Sequence, residues 1–488
     1  MFKKLFGKLR GASRGKKSTP DDSRADHEEA VSEDDQSREN EVIPPEKEPE
    51  LSSGLSREPE TGSSPGESAA AGVSDEDAPP PETSPESSQK TLPPPLQGVR
   101  ILDLTRLYPG PLATMMLAEM GAEVIKLEDS NQPDYMRTFP PFVNNQSAGF
   151  LAVNRSKRSI ALNLPDARGR EIFFRLVKQA DVVVEQYRPG KLTQLGIDYP
   201  AACQHNPAII YVSLTGYGQT GPYAGRPGHD INYIGYSGLL GLTAGAETGP
   251  VIPGVQIADI AGGAYMTVIA VLSALWARER NGEGQQVDVS MLDGVLPLTS
   301  LQLAHHWALG QALPPWQQPL SGGLACYGVY ECADGKYVAL GALEPKFWQR
   351  FCEIIEKPEW NDKGMEMGET AEQIKAELTR IFKSRSRDEW LQLQGDRDAC
   401  LSPVLALPEI EQDPHIKARG MIVTQEHPTA GKVKGIGLPI RFSASPLAHP
   451  SHAPLTGEHS IEILQEAGYP DDEIKELIRR GVVMIVEE

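Results

Sequence analysis

The chain alternates short, continuous apolar runs with stretches of helical period. "VRILDL" (Val99–Leu104) is the kind of run that a strand buried on both faces requires. A Tyr-Pro-Gly-Pro turn and the helical "LATMMLAEMG" follow, and "AEVIKLE" (Ala122–Glu128) is a second such run. Strand, helix and strand in that order predict a parallel pair joined by a right-handed crossover. "REIFFRLVKQA", "DVVVEQY" and "AIIYVSLTGYG" (Ala208–Gly218) extend the alternation. From Asp259, "DIAGGAYMTVIAVLSALWARERNG" predicts one long helix, N-capped by Asp259 and stopped at Asn281-Gly282. Gly262 and Gly263 allow close backbone approach near its start.

A Pro-rich joint, "LPPWQQPLSGG", then changes the pattern. "YGVYECADGKYVALGALEPKFWQRFCEII" predicts a hairpin around Ala333-Asp334-Gly335 and a helix after Glu344-Pro345. The tail "GEHSIEILQEAGYPDDEIKELIRRGVV" is helical, with Pro470-Asp471-Asp472 opening its second helix. The expected fold class is α/β: a large Rossmann-like parallel-sheet domain over 96–320 and a smaller α+β domain over 321–428. Residues 429–488 return to the large domain.

Composition separates residues 1–95 from the rest. Residues 1–20 carry +7 and residues 21–90 carry −16, which leaves −11 of the formal −20 on residues 91–488. The acidic stretch is Glu-, Ser- and Pro-rich and offers too little apolar surface to offset ordering entropy, so it reads as a disordered tail. Phe2, Leu5, Phe6 and Leu9 recur at helical spacing among lysines, as in a basic amphipathic helix at an anionic membrane surface, or simply a solubilising end. "GASRGKKS" is one residue short of a phosphate loop and follows no strand. With no basic excess on the folded part, nucleic acid is not an expected partner. Five cysteines without CxxC spacing fit reduced thiols in a cytoplasmic protein. No apolar run approaches the ~20 residues of a membrane span, so none is expected.

The candidate chemistry lies in "GRPGHDINYIGYSG" (Gly225–Gly238), where His229 and Asp230 stand together behind a Pro-Gly turn. A metal site needs further ligands at suitable spacing, and no HExxH or comparable set occurs. "GYSGLLG" misses the GxSxG elbow, and the first turn lacks the GxGxxG dinucleotide fingerprint. The plainest reading makes His229 a loop histidine held by one backbone bond and Asp259 a helix cap. A second reading sets Asp259 opposite an imidazole across a gap, moving a proton beside a thioester carbonyl, with helix N-terminal N–H groups holding the enolate oxygen.

Five segments carry a family resemblance. "GVRILDLTRLYPGPLATMMLAEMGAEVIKLE", "EQYRPGKLTQLGID" and "LTGYGQTGPYAGRPGHDINY" resemble the class III CoA-transferase family, as do "ADIAGGAYMTVIAVLSALWARERNGEGQQVDVSMLDG" and "GEHSIEILQEAGYPDDEIKEL". The family holds formyl-CoA and carnitine CoA-transferases together with an α-methylacyl-CoA racemase branch. "GHDINY", the Asp before a Gly-Gly helix start and "YECADGKYVALGALEP" resemble that branch more closely. The resemblance implies inversion of a 2-methylacyl-CoA by proton transfer between His229 and Asp259, with Glu344 orienting the imidazole. It implies no prosthetic group, CoA entering only as part of the substrate. It also implies phosphate contacts from Arg188, Arg155, Lys157 and Arg158, and Asp230 beside the thioester arm. Many members carry an Arg where this chain has Asp129, so a phosphate contact must shift or weaken here. The resemblance further implies an interlocked homodimer. Two rival expectations are a CoA-transferase using Asp259 as nucleophile, and a membrane-tethered acyl-CoA-binding scaffold.

Overall fold

The computed structural model describes residues 92–486. The expectations for residues 1–20 and 21–90 therefore lie outside the described residues. The chain opens with β1 (Arg100–Leu104), α1 (Pro109–Glu119) and β2 (Glu123–Asp129), then α2 (Ala148–Asn154) and β3 (Arg158–Leu162). α3 (Ala167–Val177), β4 (Val182–Glu185) and β5 (Ile210–Thr215) follow. After α4 (Asp230–Tyr236) come α5 (Met266–Asn281), β6 (Gln286–Ser290), α6 (Met291–Val295) and α7 (Ser300–Leu309). These six strands pair in parallel in the order 3-2-1-4-5-6. Sequential order reverses between β1 and β4, and a doubly wound sheet opens a ligand crevice at that switch point.

Successive residues of the strands feed two different cores, as the period of two requires. Ile101, Val182 and Val184 pack with α1 and α5 on one face, whereas Leu102, Leu104 and Val183 pack with α3 on the other. Both faces are thus covered, which is why these strands read as unbroken apolar runs.

Beyond α7 the chain forms a separate small sheet from β7 (Tyr327–Glu331), β8 (Tyr337–Gly341) and, after helices α8 (Pro345–Ile354), α9 (Glu369–Phe382) and α10 (Arg387–Gln394), β9 (Leu401–Val404). The turn between β7 and β8 spans the expected Ala333-Asp334-Gly335, with Gly335 at φ +73°. Phe382 joins the helices to this sheet, its ring 4.9 Å from Tyr330 and 5.2 Å from Trp390. β10 (Ile422–His427) and β11 (Gly431–Ile436) then pair as a hairpin. The boundary expected at residue 428 falls inside its turn. Val433 and Ala430 of the hairpin pack on Phe150 and Leu151 of α2, so it belongs with the large sheet.

The tail supplies α11 (Ser460–Glu466) and α12 (Asp471–Arg479), and then an element the pattern did not announce. β12 (Val483–Met484) pairs antiparallel with Leu162 and Ala161 of β3 and covers that edge of the sheet.

The long helix also differs from expectation. Ala258–Tyr265 is π-helical and continues into α5. Gly262 lies against the Met291 carbonyl, where a side chain would collide, and Gly263 lies beside Pro109. Ala258–Asn281 run for 24 residues and contain an 18-residue window of mean hydropathy 1.7, long and apolar enough to cross a membrane by length and composition. The expectation that no segment reaches that length is corrected on this point. Val268, Val271 and Ala274 of α5 are buried in the core beside the sheet.

Candidate active site

The residues immediately after the strands open into one cleft of about 980 Å³. Arg106 follows β1, Asp129 ends β2, Leu164 follows β3, Arg188 follows β4, Gly216 follows β5 and Met291 follows β6, and all six line it. The crevice therefore lies at the carboxyl ends of the strands, where the reversal in strand order places it.

Just before Arg106 in the chain, Asp103 anchors a buried charge network. Asp103 is fully enclosed, and its carboxylate accepts from Thr105 N (2.9 Å), Thr114 Oγ1 (2.7 Å) and Lys157 Nζ (2.9 Å). Burial pushes that carboxyl up, but Lys157 and Lys126 with the Thr105 hydroxyl outweigh it and hold it below the usual carboxylate range. Lys157 also donates to the Pro111 carbonyl and to Asn154 Oδ1, both at 2.9 Å. The network ties β1, the first turn of α1 and the entry to β3 into one unit.

His229 and Asp259 both line the cleft. His229 is the exposed residue before α4, and its backbone N–H donates to Asn232 Oδ1 at 3.0 Å. The loop reaches this position because Gly228 lies on the rings of Tyr233 and Tyr217, where any side chain would collide. Asp259 is half-buried, and its carboxyl is raised to about 6 by burial and then by the nearby charge of Asp230.

Asp259 does not cap its helix as expected. Asp230 does so from outside, its Oδ1 accepting from the N–H groups of Ala258 (2.6 Å) and Asp259 (3.1 Å). This leaves the Asp259 carboxylate turned to the cleft. The N–H groups of Ala258 and Asp259 at the helix start are thereby occupied. The Ile260 N–H is engaged as well, with the Gln256 carbonyl at 3.2 Å.

Of the four basic residues expected at phosphates, only Arg188 lines the cleft. Arg155 is buried against Glu119 and donates to the Ile436 carbonyl at 2.6 Å. Lys157 is spent on Asp103. Arg158 begins β3, at the opposite end of the sheet from the cleft, and pairs with Glu466 (2.9 Å) and Glu123 (2.8 Å). Four strand steps, roughly 13 Å, separate it from Leu162 at the other end of β3. Arg106, Lys191 and Arg226 line the cleft instead. Their signal was positional: Arg106 follows directly on a buried strand run.

Glu344 stands exposed before α8 in the small unit and is not among the cleft-lining residues of the single chain. Among the described residues, no three His, Cys, Asp or Glu side chains gather as metal ligands.

The family model for CoA-transferase family III matches residues 96–460. The chain belongs to this family. Human succinyl-CoA:glutarate CoA-transferase is 36% identical over 80% of this chain and 90% of its own length. Human alpha-methylacyl-CoA racemase is 33% identical over 78% and 96%. A CAIB/BAIF family protein from Brucella suis superposes with a TM-score of 0.69 at 32% identity, covering 77% of this chain and 100% of that one. The match includes both His229 and Asp259 and excludes the acidic extension.

Proposed function

We propose that this family member is a racemase of 2-methylacyl-CoA thioesters, working by two-base proton transfer. The observation that carries the reading is the opening of His229 and Asp259 into one cleft at the switch point of the sheet. Inversion at one carbon needs an acid and a base on opposite faces, each able to change protonation near working pH. A carboxyl raised to about 6 meets that need. In one direction neutral His229 takes the α-proton from one face while the Asp259 carboxylic acid delivers a proton to the other. In reverse the roles exchange. Arg188, Arg106 and Lys191 hold the phosphates of CoA through charge-assisted hydrogen bonds.

The same reading assigns the missing third group to a second copy. Ile269 and Trp276, seven residues apart on one face of α5, are 53% and 67% exposed, and Ile252 and Trp307 are 68% and 71% exposed. A homodimer covers that face and supplies Glu344 to the cleft across the interface.

The second reading, CoA transfer between carboxylic acids, is favoured by the likeness to succinyl-CoA:glutarate CoA-transferase. There the Asp259 carboxylate attacks the thioester carbonyl and expels CoA thiolate, leaving an acyl anhydride. The two readings separate when one enantiomer of a 2-methylacyl-CoA is incubated in D₂O with no acceptor acid. The racemase incorporates α-deuterium as optical purity falls. No exchange, with CoA transfer on adding a free carboxylic acid, would overturn the racemase reading.

A further inference from the structure

The strand order distributes the cleft along the sheet edge. His229 and Asp259 lie with Gly216 and Met291, at the β5 and β6 end, and Asp129, Asn131 and Leu164 lie at the β2 and β3 end. Three strand spacings, about 14 Å, separate β2 from β5. A thioester reacting at one end therefore extends its nucleotide toward the other. Between the two ends, beyond β1 and β4, Arg106 stacks on Tyr187, its guanidinium carbon 4.6 Å from the ring centroid. Asp129 is the last residue of β2, and both it and Arg106 act on the Tyr187 hydroxyl. One Asp129 oxygen accepts from Asn131 N at 2.8 Å, and no ion pair neutralises the carboxylate among the described residues.

A carboxylate at the end of the second strand of a 3-2-1-4-5-6 sheet is placed to accept from ribose hydroxyls, and it repels a phosphate carried on that ribose. We propose that Asp129 makes this cleft select a ribose diol over a ribose phosphate, so that the carrier it takes best is 3′-dephospho-CoA and its thioesters. The inference rests on the reading of a CoA-type thioester substrate. Arg106 meets the pyrophosphate, which both carriers share, whereas Asp129 meets the one position at which they differ.

Calorimetric titration of the full chain with CoA and with 3′-dephospho-CoA tests this without turnover. The unaltered protein binds dephospho-CoA at least as tightly as CoA. Asp129→Arg tightens CoA about tenfold relative to dephospho-CoA, since arginine pairs a phosphate directly. Asp129→Asn falls between, and its retained dephospho-CoA binding shows that the fold is intact. A tenfold preference of the unaltered protein for CoA, an unchanged ratio in Asp129→Arg, or no binding of either carrier overturns the proposal. A shifted ratio without α-exchange keeps the carrier assignment and sinks the racemase reading instead.

Discussion

Asp259→Asn is expected to slow racemisation by on the order of 10²–10⁴-fold, the range for losing one positioned acid or base. The amide keeps the shape of the side chain and the external cap that Asp230 provides, so the loss falls on kcat more than on KM. Polarimetry of a single enantiomer reads it directly. The active pair carries one proton between His229 and Asp259, so kcat/KM in both directions follows one bell-shaped profile. One limb lies near pH 6, where Asp259 titrates. Asp230 helps to raise that carboxyl, so Asp230→Asn lowers its pKa and moves the limb to lower pH. A limb that stays in place would show that Asp230 does not act on the site. Asp259 is required under the transferase reading as well, so its loss alone does not choose between the two.

The largest stability effect is expected from Lys157→Met. It removes the buried cation beside Asp103 while keeping a side chain of similar length. Breaking a buried pair by deleting one partner costs about 3–5 kcal/mol, because the other charge stays desolvated. Asp103 retains the Thr105 and Thr114 bonds and the field of Lys126, which places the expected loss toward the lower end. Urea denaturation gives the value. Adding Asp103→Asn to Lys157→Met recovers part of the loss, since the unpaired charge is then gone. A loss below about 1 kcal/mol for Lys157→Met alone would contradict the role assigned to the network.

How much of this was legible in the sequence depended on whether the signal was local. β1, β2, β4 and β5 were legible because strands covered on both faces must be apolar throughout. His229 and Asp259 were legible as candidates because each sits at a turn or a helix start. The role of Asp230 was not, because it caps a helix 28 residues further on, through space. The resemblance implied phosphate contacts from the basic run that holds Arg155, Lys157 and Arg158. Its fate was set by distant acids, Glu119, Asp103 and Glu466, which pair residues that the local pattern leaves open. The edge strand Val483–Met484 is two residues long, too short to carry a period. Asp129 was visible as a departure from the family's pattern, but its meaning needed the strand order.

The central claim, two bases serving opposite faces of one carbon, is tested most directly by His229→Ala incubated separately with each enantiomer in D₂O. Asp259 remains on its own face, so one enantiomer should exchange its α-hydrogen with retention while the other exchanges at least 100-fold more slowly. Inversion should be lost from both. Inversion of both enantiomers at near the unaltered rate, or an equal loss of exchange from both while CoA binding is intact, would contradict the two-base assignment.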